Sequence, residues 1–312
     1  MRAVYLRPRS LFPGSLPSNS LFGAICHAMA DLGGPVDELI AEYASSPPFL
    51  ISSAFPFIEG DGKSGKIHFL PKPIQPITKL PDPELFDAAR KVKKISLLSA
   101  PLFSALLSQE MTADALVKII DKYIIRYGMC YDGEENRDFK IEPAEIPHNR
   151  INRLSSASEA FFATSGYRFK NAGLYFLIDM KNQKWESEVL GAIRLLEDRG
   201  FGPKISSGGG QCSVSVEDCD ILPKTTGNRI VTLSRYSPLN FGDLGAETYY
   251  ELCRIRGRSA DGVMKKPVMM LGEGSVFPDT GTPFYGKIVR VRDEPPVVEY
   301  GYAFPIRFGG VA

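Results

Sequence analysis

Five glycines fall within the eleven residues from Gly200 to Gly210, at positions 200, 202, 208, 209 and 210. No helix or strand interior carries such a density, because glycine loses more backbone entropy on ordering than any other residue and adds no side chain to a core. The segment is therefore a loop, and its flanks define what it joins. Before it, Glu186–Arg199 repeats Val189, Leu190, Ile193 and Leu196 at helical spacing; after it, Cys212–Val216 alternates as a half-buried strand does. The apolar run Leu174–Met180 upstream reads as a further strand. Strand, amphipathic helix, glycine loop and strand in succession predict an α+β unit with its helix laid on a sheet.

A glycine loop leaves main-chain amides open to close approach by a ligand. The sequence matches neither G-x-x-x-x-G-K-[ST] nor G-x-G-x-x-G, and the loop follows a helix instead of opening one, so a nucleotide-cofactor fold is not indicated. An extended phosphate chain fits better. The amides of Gly202, Gly208, Gly209 and Gly210 would line it, with charge from Lys204 and hydroxyl donors from Ser206 and Ser207. The competing reading is a plain flexible connector.

The N-terminal segment repeats the strand-to-helix pattern. Ala3–Leu6 reads as a strand, and Leu21, Phe22, Ile25, Ala28 and Met29 recur at helical spacing until Gly33-Gly34-Pro35 stops the helix. Ser18 or Asn19 can cap that helix, and the Ser18-Asn19-Ser20 start could instead hold a phosphate on its free amides. Prolines at 71, 73, 76, 81 and 83 predict that 67–83 is an extended surface arm with no central strand. From 83 to 125 apolar residues at helical spacing (Leu85, Phe86, Ala89, Val92, then Leu116, Ile119, Ile120) predict a helical insertion. After Pro147, two strands or a long hairpin lead to Leu174–Met180. The polar turn at 223–227 marks a boundary, giving domains 1–224 and 225–312; the second is sheet-dominated, and Pro305 places its last strand at an edge or bulge.

Charge narrows the partners. With 37 basic and 36 acidic side chains and a net charge of +1, bulk charge holds no polyanion, so a nucleic-acid site must be local. Two clusters qualify. Arg150, Arg153, Arg168 and Lys170, with His148, Asn149 and Asn152 beside them, face Glu159 alone and interleave with Phe161, Phe162, Tyr167 and Phe169. Arg254, Arg256, Arg258, Lys265 and Lys266 face Asp261 alone. Arginines beside rings suit single-stranded RNA, and either cluster also reads as an ordinary solvated face. Five cysteines without a C-x-x-C pair and three scattered histidines give neither a disulfide framework nor a metal site, so no cofactor is expected, and a cytoplasmic protein with reduced thiols is. No signal peptide and no membrane span is expected. His27 reads as a core histidine, His68 lies by the proline arm, and His148 is the better ligand contact. No G-x-S-x-G, H-E-x-x-H or distinctive carboxylate pair calls for an enzyme.

Six segments together resemble a known family: L-P-S-N-S-L-F-G-A-I at 16–25, H-N-R-I-N-R-L-S-S-A-S-E at 148–159, G-F-G-P-K-I-S-S-G-G-G at 200–210, R-I-R-G-R at 254–258, K-K-P-V-M-M-L-G-E-G-S-V-F at 265–277 and Y-G-Y-A-F-P-I at 300–306. They are similar to the RAMP proteins of CRISPR effector complexes, specifically the Cas5-like subunit four of type III-A Csm systems, over nearly the whole chain. The resemblance implies two tandem ferredoxin-like, RRM-related domains with a helical insertion and the glycine-rich loop late in the first. It implies a non-catalytic subunit that grips the 5′ handle of the crRNA. Its partners would be the Cas ten-type large subunit (Csm subunit one) and the Csm subunit three backbone. Ser18 to Ser20, Arg150, Arg153 and Gly202 to Gly210 are the positions that would line the RNA. The alternative within the superfamily is a RAMP endoribonuclease processing precursor crRNA, with His27, His68 or His148 as acid or base. Such nucleases carry the glycine loop near the chain end, whereas here the chain runs on from Gly210 to Ala312.

Overall fold

The structure, a computed structural model, describes residues 1–60, 65–75, 83–108, 111–133, 137–202, 208–245, 247–259 and 261–309. The chain opens with β1 (Arg2–Pro8), α1 (Ser18–Asp31), α2 (Val36–Glu42), β2 (Phe49–Ile51), β3 (Phe55–Ile58) and β4 (Ile67–Pro71). The insertion supplies α3 (Phe86–Lys93), β5 (Leu97–Ser99), α4 (Ala100–Leu107), α5 (Ala113–Ile119), β6 (Tyr123–Arg126) and β7 (Met129–Asp132). A long hairpin, β8 (Lys140–Ile151) and β9 (Ser158–Lys170), leads to β10 (Ala172–Met180), α6 (Glu186–Arg199) and β11 (Cys212–Asp218). The remainder is β12 (Arg229–Thr232), β13 (Leu252–Ile255), β14 (Val268–Leu271), β15 (Val276–Pro278), β16 (Gly286–Arg292), β17 (Val297–Tyr302) and β18 (Pro305–Phe308).

A nine-stranded sheet runs β11-β1-β10-β3-β4-β5-β7-β6, with β2 pairing off β10. Its first four strands alternate with α1 and α6 in a β-α-β-β-α-β path whose spatial order is fourth, first, third, second, all antiparallel. The central strand β10 is buried from Ala172 to Ile178, as a strand flanked on both edges requires. Helices α1 and α6 pack against each other, burying Leu21, Phe22, Ile25, Ala28 and Met29 from one and Val189, Ala192, Ile193 and Leu196 from the other.

The sequence expectations need four corrections. The proline-rich stretch is not an arm throughout: β4 lies between β3 and β5, with Ile67, Phe69 and Leu70 buried. Only Pro71 falls in the strand, at its last position, where a missing N–H costs least; positions 76–82 lie outside the described residues. The insertion is not simply helical, because it extends the sheet by β5, β6 and β7, and α3 buries none of its residues, leaving Phe86 half exposed. Helix α1 starts earlier than its apolar repeat, with Pro17 as N-cap and no side-chain cap, so neither Ser18 nor Asn19 caps it. Fourth, the second half does not repeat the first: the described residues from 225 onward form a β15-β12-β18 sheet and the hairpins β13–β14 and β16–β17, without an α-helix. Strand β18, opened by Pro305, lies at the edge of its sheet.

One core crosses position 224. Leu233, Tyr300, Tyr302 and Phe304 belong to the same buried cluster as Phe22, Tyr43 and Phe49. Phe22 and Tyr300 have ring centroids 5.1 Å apart. The Tyr302 hydroxyl donates to the Tyr43 carbonyl at 2.7 Å, and the Ile51 amide donates to the Tyr300 hydroxyl at 3.1 Å. The two halves are thus packed as a unit through aromatic residues whose polar ends are satisfied.

Candidate nucleic-acid interface

Three segments distant in sequence line one cleft of about 390 Å³. Helix α1 contributes Ser20, Ala24 and His27; the end of α6 and the start of the glycine loop contribute Arg199, Gly200, Phe201 and Gly202; the turn after β13 contributes Arg258 and Ser259. Helical spacing explains the first set, since positions 20, 24 and 27 share the α1 face opposite the Phe22–Ile25–Met29 stripe. His27 is therefore exposed in the cleft and not a core histidine. Arg199 pairs with Asp31, leaving Arg258, whose Nη1 donates to the Gly262 carbonyl at 2.7 Å, as the cation without a carboxylate partner in this lining.

The first turn of α1 is divided. Ser18 and Asn19 are buried and spent on internal partners, most of them in the C-terminal half. The Ser18 amide donates to Ser53 Oγ at 2.9 Å, Ser18 Oγ accepts from the Arg235 amide at 3.0 Å, and Asn19 Nδ2 donates to Glu299 Oε2 at 2.9 Å. They cannot line RNA in this conformation; Ser20, exposed, can. Lys265 joins the same network. Its ammonium donates to Glu299 Oε1 at 2.5 Å, with the carboxylate 5% exposed, so Lys265 is an internal partner and not an RNA-binding cation.

The glycine loop is pinned at its base. The Phe201 amide donates to the Gly210 carbonyl at 2.9 Å, and the Gly210 amide is taken by the Leu11 carbonyl at 2.8 Å. Gly210 has φ +75°, and a Cβ there would lie 1.8 Å from the Phe201 carbonyl oxygen, so its glycine serves backbone packing and its amide is not open to a ligand. Gly208 faces open space and Gly209 is half-buried. Lys204, Ser206 and Ser207 lie outside the described residues.

The β8–β9 hairpin presents a second cationic surface. Arg153 and Arg168 are exposed and make no ion pair among the described residues, whereas Arg150 pairs with Glu159 at 3.4 Å and Lys170 with Asp138 at 2.9 Å, both at the surface. Asn152 is a structural element of the tip: its Oδ1 accepts from the Leu154 and Ser155 amides, and its Nδ2 donates to Glu159 at 2.8 Å. Asn149 Oδ1 accepts from Ser158 Oγ at 2.6 Å, and His148 stacks on Phe162 at 5.1 Å. Leu154, at the tip, is 99% exposed.

The third cluster splits. Arg254 and Arg256 are exposed and unpaired among the described residues, and Lys266 pairs at the surface with Asp293 at 3.0 Å.

No family model matches the sequence. A protein of Thermococcus onnurineus (strain NA1) named CRISPR system Cms protein Csm4 is 26% identical over 97% of this chain and 95% of its own. A protein of Methanocaldococcus jannaschii with the same name is 26% identical over 83% of this chain and 78% of its own. Over nearly its whole length the chain is thus similar in sequence to proteins named Csm4. Solved structures carry the same fold. A chain of the Csm3–Csm4 subcomplex of the type III-A CRISPR-Cas interference complex superposes with a TM-score of 0.69 at 21% identity, covering 99% of this chain and 100% of that one. A chain of a Csm1–Csm4 cassette bound to AMPPNP gives 0.62 at 22% identity, covering 98% and 97%.

The three histidines occupy three separate places. His27 is in the cleft, His148 is on the hairpin, and His68 is on β4, where its Nε2 shares a 2.9 Å hydrogen bond with the Tyr5 hydroxyl. Burial, and secondarily the Lys66 charge, pushes His68 down to about 4. No pair of them is assembled as acid and base. Arg199 is a cleft cation that sequence reading missed: at the last position of an amphipathic helix it reads as a dipole-neutralising end residue.

Proposed function

We propose that this chain is a non-catalytic subunit of a type III-A CRISPR (Csm) interference complex in the cytoplasm, that it holds the 5′ handle of the crRNA, and that it bridges the Cas ten-type large subunit, Csm1, to the Csm3 backbone. The observation that carries this reading is the cleft, in which three of the family-like segments, 16–25, 200–210 and 254–258, meet although the sequence separates them widely. A cleft with an exposed helix face, a glycine-flanked turn and an arginine suits a short, invariant nucleic-acid tag. Backbone amides and cations fix the phosphates, and the exposed hairpin rings supply stacking. The bridging role rests on the solved relatives, whose complexes pair Csm4 with Csm3 in one case and with Csm1 in the other. The β-α-β-β-α-β order of the first unit supports its reading as a ferredoxin-like, RRM-related domain; the described residues of the second half, which hold no α-helix, do not repeat that order.

The test is reconstitution of the complex with His27→Ala/Arg258→Ala in the cleft, and separately with Arg150→Ala/Arg153→Ala on the hairpin, followed by quantifying the crRNA that copurifies. Both variants are expected to assemble and to retain less crRNA. Unchanged retention in the cleft variant overturns the assignment of the cleft. Incubation of the purified chain with repeat RNA tests the non-catalytic part: a specific cut abolished by His27→Ala would establish the endoribonuclease instead.

A further inference from the structure

The strand that ends at the cleft carries more than one arginine on the same side. From 250 to 258 the even positions, Tyr250, Leu252, Arg254, Arg256 and Arg258, are all exposed; of the odd ones Glu251 is exposed, Cys253 and Gly257 are half-buried and Ile255 is buried. Successive side chains of a strand point to opposite faces, so Leu252 and Arg254 of β13 share one face, and the same alternation of exposure runs on through Arg256 and Arg258 beyond its end. β13 is fixed in that orientation by β14, with Arg254 opposite Met269 and Ile255 opposite Val268. The ladder continues at both ends: the Gly272 amide donates to the Glu251 carbonyl, and Arg258 bridges to Met264. Alternate residues along such a strand are about 6.6 Å apart, close to the repeat of phosphates along an extended single strand.

We propose that this face is a track for single-stranded RNA that continues from the cleft: Arg258 at the cleft mouth, Arg256 and Arg254 on successive phosphates, and Tyr250 as the platform on which a base stacks. The proposal rests on the reading of the cleft as an RNA site and extends it along the strand. Three features favour RNA over an acidic protein surface. The arginines are strung in a line and not clustered, Arg254 and Arg256 make no ion pair among the described residues, and an exposed aromatic ring stands at the end of the row. Arginine over phosphate with rings stacking on bases is how grooves hold single strands without reading sequence.

The experiment measures binding of a labelled single-stranded RNA carrying the crRNA 5′ handle to the full chain, between 50 and 200 mM salt. Each phosphate contact on a single strand contributes about 0.7 to the slope of log affinity against log salt. Arg254→Ala/Arg256→Ala should therefore flatten the slope by about 1.4, so that its deficit relative to the unsubstituted chain shrinks about sevenfold across that range. Arg254→Lys/Arg256→Lys should keep most of the slope, and Arg90→Ala on α3 should leave it unchanged. Tyr250→Ala should weaken binding about tenfold with the slope intact, because stacking releases no counterions. Both arginines are exposed and make no ion pair among the described residues, so the fold is expected to survive, and circular dichroism of each variant checks it. If the unsubstituted chain does not bind the RNA, both the cleft reading and the track fall. If it binds, and His27→Ala/Arg258→Ala weakens it while Arg254→Ala/Arg256→Ala leaves slope and affinity unchanged, the track alone falls. Loss of Csm1 or Csm3 from the assembled complex, with RNA affinity unchanged, would make the face a protein contact and overturn the proposal.

Discussion

Replacing Glu299 with alanine removes the carboxylate that ties the first turn of α1 to the C-terminal half. Glu299 is 5% exposed and holds the Lys265 ammonium at 2.5 Å through one oxygen and Asn19 Nδ2 at 2.9 Å through the other. Breaking a buried pair from one side costs about 3–5 kcal/mol, because the remaining charge stays desolvated. The Lys265 side chain is 21% exposed, so water relieves part of this, and the orphaned Asn19 donor adds about 1 kcal/mol. A loss of about 3 kcal/mol is the working figure. At about 2.1 cal/mol/K per residue, a chain of 312 residues has a melting entropy near 0.65 kcal/mol/K, so Tm should fall by about 5 °C. The comparison variant is Asp293→Ala, whose pair with Lys266 is 65% and 71% exposed and screened by water, so its Tm should fall by under about 2 °C. Calorimetry of the two variants decides the matter. The reasoning is refuted if Glu299→Ala melts within a degree of Asp293→Ala. A further check is Lys265→Met/Glu299→Leu: with neither charge left to desolvate, it should recover most of the loss, and a doubled loss would show that the pair is not the unit that matters.

Further outcomes follow from the same geometry. Gly210→Ala puts a Cβ against the Phe201 carbonyl at φ +75° and should cost more than about 3 kcal/mol in urea unfolding, whereas Gly208→Ala, at φ +80° in open space, should cost only the about 1–2 kcal/mol of a left-handed alanine; equal midpoints would refute the packing role of Gly210. His68 is held neutral by burial, with its pKa pushed down to about 4 from 6.5, so between those values the unfolded chain binds the proton that the folded chain refuses. Stability from this source is complete above pH 6.5 and drains as pH falls toward 4, by up to about 3 kcal/mol. His68→Gln should flatten the pH dependence of Tm in that window, and an unchanged profile would place its source elsewhere. Trp185, the single tryptophan, is buried with its indole N–H donated to Glu42 at 2.7 Å, so Glu42→Ala should destabilise by about 1–3 kcal/mol and shift tryptophan emission; unaltered emission would show the bond unimportant.

Much of the α+β frame was legible because its signals are local. Glu186–Arg199 carries a complete apolar stripe and ends at a glycine, and α6 has those same bounds. The hairpin after Pro147 was legible, but the first half of β8 was not, since it carries Pro143 and Pro147, pairs with β9 in an isolated two-stranded ribbon and has no buried positions. A ribbon with two wet faces shows no period-two pattern, and its prolines cost little where N–H groups face solvent. The site was legible only as fragments. R-I-R-G-R and the glycine loop stand out by composition, but their meeting beside α1 depends on long-range packing. Composition likewise cannot separate a free cation from a spent one: Lys265 and Lys266 are neighbours in sequence, yet Lys265 lies in a buried network and Lys266 at the surface, a difference set by which carboxylate the fold brings up from β17 and from the turn before it.

The sheet itself gives a reason why the site should lie on the helix side. A sheet of RRM-like order commonly uses its open face to stack bases on aromatic rings. Here the corresponding rings, Tyr5, Phe57 and Tyr175, are buried against one another and against His68. Lys66 sits 4.3 Å over the Tyr5 ring while pairing with Glu217, and Arg7 pairs with Glu59 at 2.5 Å and bonds Ser215 at 2.9 Å. A base entering this layer would have to break two ion pairs and displace rings packed at interior density, with only its own stacking to offset that loss. The helix-side cleft and the exposed face of β13 demand no such rearrangement. Removing the cover by Glu59→Ala/Glu217→Ala should therefore leave handle affinity within about twofold; a gain of tenfold or more would mean that the aromatic layer, once opened, is the true platform.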